Sequence, residues 1–257
     1  MINSLSNQEK NYRLITISVS HYCEKARWAL TKLQIPFVEE AHMPPFHRLA
    51  TGRVGGKSTP VLVTDASTFT DSTDILKYLD SIAPANAKLY PTDAEQRRQV
   101  EELENLFDSQ LGPAIRCWAY FYVIDDYNFM KSRWCEGVPS VERALFPVVF
   151  PLMRKVVRQS YNITPESAAR AYEQIKSIFE KVSELLADGR TYLVGDNFSA
   201  ADLTFAALAA PAVQPPQHPT KRSPLQEFPA KMASEISAFR ETLAGAFVLR
   251  LNRHRDS

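Results

Sequence analysis

The chain has 257 residues, 45% of them hydrophobic and 23% charged, a composition of an ordinary globular protein with enough apolar content to bury one large core or two modest ones. Thirty basic against 29 acidic residues leave a net charge of +1, a balance that recruits neither nucleic acid nor anionic lipid. Three scattered cysteines, Cys23, Cys117 and Cys135, make no disulfide framework and, with the dispersed histidines, no structural zinc or other metal site. The polar opening MINSLSNQEKNYR lacks a signal-peptide core. The best apolar runs, Phe205 to Val213 and Leu145 to Met153, fall short of the ~20 residues that span a bilayer. A cytoplasmic location without membrane or nucleic-acid partners is the expectation.

The predicted elements begin with a strand from Tyr12 to Val19, where alternation mixes with a β-branched run. A short turn, Ser20-His21-Tyr22, leads into a helix from Cys23 to Leu33. Ala26, Leu30 and Leu33 share its apolar face, while Glu24, Lys25 and Arg27 fall mostly off it. Ser20 stands at the N-cap position. Pro36 to Ala41 reads as a second strand, which makes a right-handed parallel βαβ unit. Met43 to Ser58, with Pro44, Pro45, Gly52, Gly55 and Gly56, reads as surface loop around a short helix. Pro60 to Thr64 and Thr68 to Thr70 form a hairpin, and Asp71-Ser72 caps a helix to about Ile82. The order is β-α-β-α-β-β-α. Pro84 to Pro91 is a linker. Beyond it only helices are expected: Asp93 to about Val123, Pro139 to Gln159, Pro165 to Ala187, Ala200 to Ala209 and Pro229 to Leu243, with Val213 to Pro229 a proline-rich loop. The division is an α/β domain over 1–83 and an all-α domain over 92–257.

Three local features admit a bland and a chemical reading. Ser20 is a good cap wherever it occurs, yet a hydroxyl at a helix N-terminus also donates to a bound thiolate and favours its ionised form. Thr59-Pro60 opens a strand, with either a trans or a cis peptide bond. Asp71-Ser72 caps a helix, or cradles the carboxylate and ammonium of an α-amino acid head group.

Taken in order and at their spacing, these features resemble the cytosolic glutathione transferase superfamily. Ser20-x-x-Cys23 followed by Lys25-Ala26-Arg27-Trp28-Ala29-Leu30 resembles its first-helix signature, Thr59-Pro60-Val61-Leu62 its cis-proline strand, and Asp71-Ser72 its acidic-Ser pair. Phe198-Ser199-Ala200-Ala201-Asp202-Leu203 resembles the capping box of a buried helix in the all-α half, a folding motif in which Ser199 and Asp202 satisfy each other's backbone donors. The resemblance implies a thioredoxin-like domain, an all-α domain and a cleft between them, glutathione as cosubstrate, a small hydrophobic electrophile as second substrate, and a homodimer with a detoxification role.

Carried over by position, Ser20 is the catalytic residue that stabilises the thiolate. Thr59 and Pro60 meet the cysteinyl backbone, Asp71 and Ser72 hold the γ-glutamyl head, and Lys57 or His47 meets the glycyl carboxylate. His21, Tyr22 and Cys23 are accessory candidates at the sulfur. In the all-α half Arg116 and Tyr120, within the run that includes Trp118, Phe121 and Tyr122, are second-substrate candidates, with core packing the competing reading. The resemblance leads to a conjugating transferase with peroxide reduction as a companion activity. The alternatives are a thiol transferase or dehydroascorbate-type reductase using Cys23, and a non-catalytic glutathione or ligand-binding module.

Overall fold

The computed structural model describes residues 12–220 and 223–255. Residues 1–11, which carry most of the reading against a signal peptide, and Lys221 and Arg222 of the proline-rich loop lie outside the described residues.

The N-terminal half holds β1 (Tyr12–Thr16), α1 (His21–Lys32), β2 (Phe37–Ala41), α2 (His47–Gly52), β3 (Val61–Val63), β4 (Thr68–Phe69) and α3 (Ser72–Ile82). The sheet order is β2-β1-β3-β4, with β1 and β2 parallel and the other neighbours antiparallel. The sheet is covered on both faces. Leu14 belongs to the large core with α1 and α3, whereas its neighbour Ile15 packs on the other face with Ala50 of α2 and Val61. This is the thioredoxin-like βαβαββα arrangement read from the sequence. β1 is shorter than expected, because Ile17 to Ser20 is spent on a turn closed by a 2.9 Å bond from Ser20 N–H to the Ile17 carbonyl.

The remainder is helical: α4 (Ala94–Leu106), α5 (Gly112–Val123), α6 (Tyr127–Trp134), α7 (Ser140–Ser160), α8 (Pro165–Leu186), α9 (Ala200–Val213), α10 (Ala230–Arg240) and α11 (Leu243–Arg253). Thirteen of the 14 residues of α9 are buried, all but Pro211, so it is the central post against which α1, α4, α5, α10 and α11 pack. Its start is held by Asp202, whose carboxylate accepts from Leu193 N–H at 2.8 Å, Ser199 N–H at 2.7 Å and the Ser199 hydroxyl at 2.8 Å.

The expected single helix from Asp93 to Val123 is divided. Residues Phe107–Leu111 form a π-turn between α4 and α5. The cause is local. Gly112 N–H reaches back to the Phe107 carbonyl, and the next residue, Pro113, has no N–H to offer Asp108. The orphaned Asp108 carbonyl is taken instead by the Tyr22 hydroxyl of α1 at 2.6 Å. A side chain at residue 112 would overlap that hydroxyl, which is why glycine stands there.

Two features go beyond the sequence reading. The helix expected from Pro229 to Leu243 is α10, which stops at Arg240, and a further helix that was not expected, α11, follows it, capped by Thr242 through a 2.9 Å bond from Gly245 N–H. Glu24, Lys25 and Arg27 are not on a solvated face: all are buried, because α1 lies between its own sheet and the helical half. Lys25 Nζ is fully buried, 2.8 Å from Glu104 and 2.6 Å from Asp108, and donates to the Thr73 hydroxyl at 3.1 Å. Glu24 takes Arg27 on one side and Arg255 from the chain's far end on the other. Burying such charges is costly unless every partner is present, so loss of one partner from either network should be strongly destabilising.

Candidate active site

Ser20 ends the β1–α1 turn in extended conformation, and its Oγ accepts from Cys23 N–H at 3.3 Å. That bond uses an acceptor lone pair and leaves the hydroxyl proton for another partner. Ser20 is half-buried on the wall of a cavity of about 1200 Å³, counted with its open mouth, between the two halves. The Thr59–Pro60 peptide bond is cis, and so is Pro44–Pro45, which the sequence did not mark. A second cavity of about 1260 Å³ contains Thr59, Pro60, Asp71 and Ser72 in its wall. The two cavities share Tyr22, Ser58, Thr59 and Arg116, so they meet beside the N-terminus of α1.

The other expected residues divide sharply. Asp71 is exposed, and its Oδ1 caps α3 through Thr73 N–H at 2.8 Å, while Ser72 is buried at the first helical position. His47 lines the first cavity, but burial, with Arg48 and His42 nearby, pushes its imidazole down to about 4, so it is neutral near pH 7. Lys57 is exposed and lines neither cavity. His21 is buried against Tyr22 on the first cavity's wall.

Tyr22 lines both cavities. Burial raises its phenol to about 12, and its proton is already given to the Asp108 carbonyl. Cys23 is fully buried, lines neither cavity, and has its thiol pKa raised by burial despite the Ser20 hydroxyl beside it. A thiol in that state is a poor nucleophile.

In the helical half, Arg116 and Tyr120 line the first cavity, and the Arg116 guanidinium stacks 4.1 Å from the Tyr161 ring centroid. Trp118, Phe121 and Tyr122 do not line it. Trp118 Nε1 and the Tyr122 hydroxyl instead donate to Glu235 at 2.7 Å and 3.0 Å, so the packing reading holds for both.

Several lining residues were missed by sequence reasoning. Phe129, Met130 and Arg133 come from α6, which was not predicted, although Phe129 and Arg133 have helical i, i+4 spacing. Gln214, Thr220 and Phe228 come from the proline-rich stretch, which is tied down by Arg133 donating to Ser223 Oγ at 2.6 Å. In the second cavity Glu104 and Asp108 were missed. Asp108 Oδ1 is buried with no hydrogen-bond partner among the described residues, and burial raises the carboxyl's pKa against the pull of Lys25.

Two family descriptions match the chain in the expected order: "Glutathione S-transferase, N-terminal domain" over residues 14–87 and "Glutathione S-transferase, C-terminal domain" over residues 165–230. The chain belongs to the glutathione transferase superfamily.

Solved structures of the superfamily share the fold over nearly the full length of this transferase-family chain. A glutathione S-transferase from Methylobacterium radiotolerans, in complex with glutathione sulfonate, is 20% identical, with 93% of this chain and 94% of that one covered at a TM-score of 0.55. Ure2p5 from Phanerochaete chrysosporium, cocrystallised with 1-(S-glutathionyl)-2,4-dinitrobenzene, is 17% identical over 95% and 96% at 0.57. The beta-etherase LigF from a Sphingobium strain is 17% identical over 93% and 98% at 0.55. At such identities the likeness is one of fold. No curated protein matches the sequence. Among the described residues no helix is long and apolar enough to cross a membrane, and no group of His, Cys, Asp and Glu is placed to hold a metal.

Proposed function

We propose that this protein is a glutathione transferase in which Ser20 stabilises the glutathione thiolate. The observation that carries this reading is the meeting of the two cavities at Tyr22, Thr59 and Arg116, with the Ser20 hydroxyl at the helix N-terminus beside them. The acidic second cavity suits the γ-glutamyl head. Ser72 at the first helical position would receive its carboxylate, and Asp71 together with the unpartnered Asp108 oxygen its ammonium. The tripeptide's thiol would then lie at the first cavity, where the Ser20 O–H and the positive end of the α1 dipole favour its ionised form.

Free thiols have a pKa near ~8.5, so only a small fraction is nucleophilic at neutral pH, and each unit of lowering corresponds to about 1.4 kcal/mol. The sulfur attacks an electrophilic carbon in the largely apolar first cavity. A thioether forms, the leaving group departs with the bonding pair, and the thiol proton passes to solvent. The closed environment of Cys23 gives no support to a mixed-disulfide mechanism through that residue.

The test is conjugation of glutathione to chlorodinitrobenzene across pH, with calorimetry of glutathione binding. Loss of a hydrogen bond to a charged group costs about 1.5–3 kcal/mol, so Ser20→Ala should lower kcat/KM by roughly 10- to 100-fold. It should also move the pH–rate midpoint upward. Because the cap is lost as well, at a cost of about 1 kcal/mol, the variant's unfolding is measured alongside. Unchanged turnover would remove Ser20 from the reaction, and absence of glutathione binding by the folded wild type would overturn the function itself.

A further inference from the structure

The two cavities carry opposite charge. The second has Asp71, Glu101, Glu104 and Asp108 in its wall, against Lys77 and Arg116. The described residues lining the first include Arg116 and Arg133, two histidines and no Asp or Glu at all. Its remaining surface is mainly aromatic and aliphatic, with the rings of Tyr120, Phe129, Tyr161 and Phe228. A site meant for a purely apolar electrophile gains nothing from two guanidinium groups, which are costly to place in apolar surroundings.

Both guanidinium groups are held in fixed geometry. The Arg116 guanidinium carbon stands over the Tyr161 ring, 4.1 Å from its centroid, a contact that uses none of the N–H donors of the group. Arg133 is buried at 9% exposure, 5.1 Å from the Phe129 ring centroid, and one of its amino groups donates to Ser223. Planar, mono-anionic groups match such forks.

We propose that the second substrate is an aryl electrophile carrying a carboxylate, its ring held by the aromatic wall and its anion by the Arg116 and Arg133 guanidinium groups. This rests on the transferase reading above and narrows its substrate class. The same positive field favours the attacking thiolate, so the two anions share one cationic chamber while the ammonium-bearing end of glutathione occupies the acidic one.

The test compares para-(chloromethyl)benzoate with its methyl ester. In each, the glutathione sulfur bonds to the benzylic carbon, the C–Cl bond breaks, chloride leaves with the electron pair, and the thiol proton goes to solvent. The wild type should favour the acid in kcat/KM by about tenfold or more, the discrimination expected of one charge-assisted contact. Arg116→Met and Arg133→Met should each shrink the acid-to-ester ratio through KM for the acid, and the corresponding Lys variants should restore part of it.

Calorimetry with the unreactive pair para-toluate and para-toluamide reads the same preference without turnover, so failure of conjugation leaves the anion seat decidable. A wild-type ratio at or below one in both measurements, or a ratio that neither Met variant moves, overturns the proposal. A rise in KM for glutathione alone in Arg116→Met would assign that residue to the tripeptide and overturn its part in it.

Discussion

Gly112→Ala probes the seam between the two halves. The new methyl group would overlap the Tyr22 hydroxyl oxygen and stand 2.6 Å from Tyr22 Cζ, closer than real Cβ contacts come. The phenol must swing away, which breaks its 2.6 Å bond to the Asp108 carbonyl. That carbonyl has no helical N–H to fall back on, because residue 113 is proline. Overpacking costs about 1–3 kcal/mol, and stranding a buried acceptor costs about as much again. Alanine's better helix propensity returns about 1 kcal/mol. The net expectation is a destabilisation of about 1–5 kcal/mol, or roughly 2–20 °C in Tm for a chain of this size.

The assay is urea unfolding followed by tryptophan fluorescence, run as a cycle with Tyr22→Leu. Leucine cannot reach residue 112, so in that background Gly112→Ala should cost less than about 1 kcal/mol. An unchanged midpoint in the single variant, or an equal cost in both backgrounds, would refute the account of why glycine and tyrosine stand where they do.

Stability should also depend on His42. Burial pulls its pKa down, but hydrogen bonds to Glu142 at 2.5 Å and Glu40 at 2.9 Å outweigh that and raise it above the ordinary 6.5. The raised folded pKa means that this contribution is complete below about 6.5 and is lost as pH climbs through the folded value. Unfolding midpoints of the wild type should therefore fall over that range more steeply than those of His42→Gln, and parallel profiles would dismiss the pairing. Cys23, fully buried with its thiol pushed up, should resist thiol reagents and form no adduct with oxidised glutathione until the chain unfolds. Rapid native labelling at Cys23, followed by mass spectrometry, would reopen the thiol-transferase alternative.

Much of the N-terminal half was legible because its signals are short-range. A β-branched run, a serine cap, a proline at a strand start and an acid before a helix each act within a few residues. The capping box at Ser199 and Asp202 was legible for the same reason, and it appears with its bonds made. Elements set by distant partners were harder to see. Within α6, only Met130, Arg133 and Trp134 are buried, so its period is weak; its shape comes from a cap at Asp126 and from packing on neighbours far along the chain. The break at Phe107–Leu111 was hidden because the apolar period of α4 runs on into α5, and a proline near a helix start is otherwise unremarkable. The charges of α1 were read only as lying mostly off its apolar face, because local periodicity cannot register a second covering layer, and here the helical half supplies it.

By itself, the order of residues determined the βαβαββα half, the switch to helices after the linker and the candidate cap at Ser20, because local chemistry and spacing suffice for each. The tertiary structure alone decided which side chains share a cavity. It set Arg133 in the wall of one chamber, Glu104 and Asp108 in that of the other and Arg116 in both, withdrew Trp118 and Cys23 into the core, and committed the Tyr22 proton to a carbonyl 86 residues away. Those outcomes depend on how two separately patterned halves dock, across a seam that carries both the apolar packing of α1 on α9 and buried charges whose partners lie far apart in the chain.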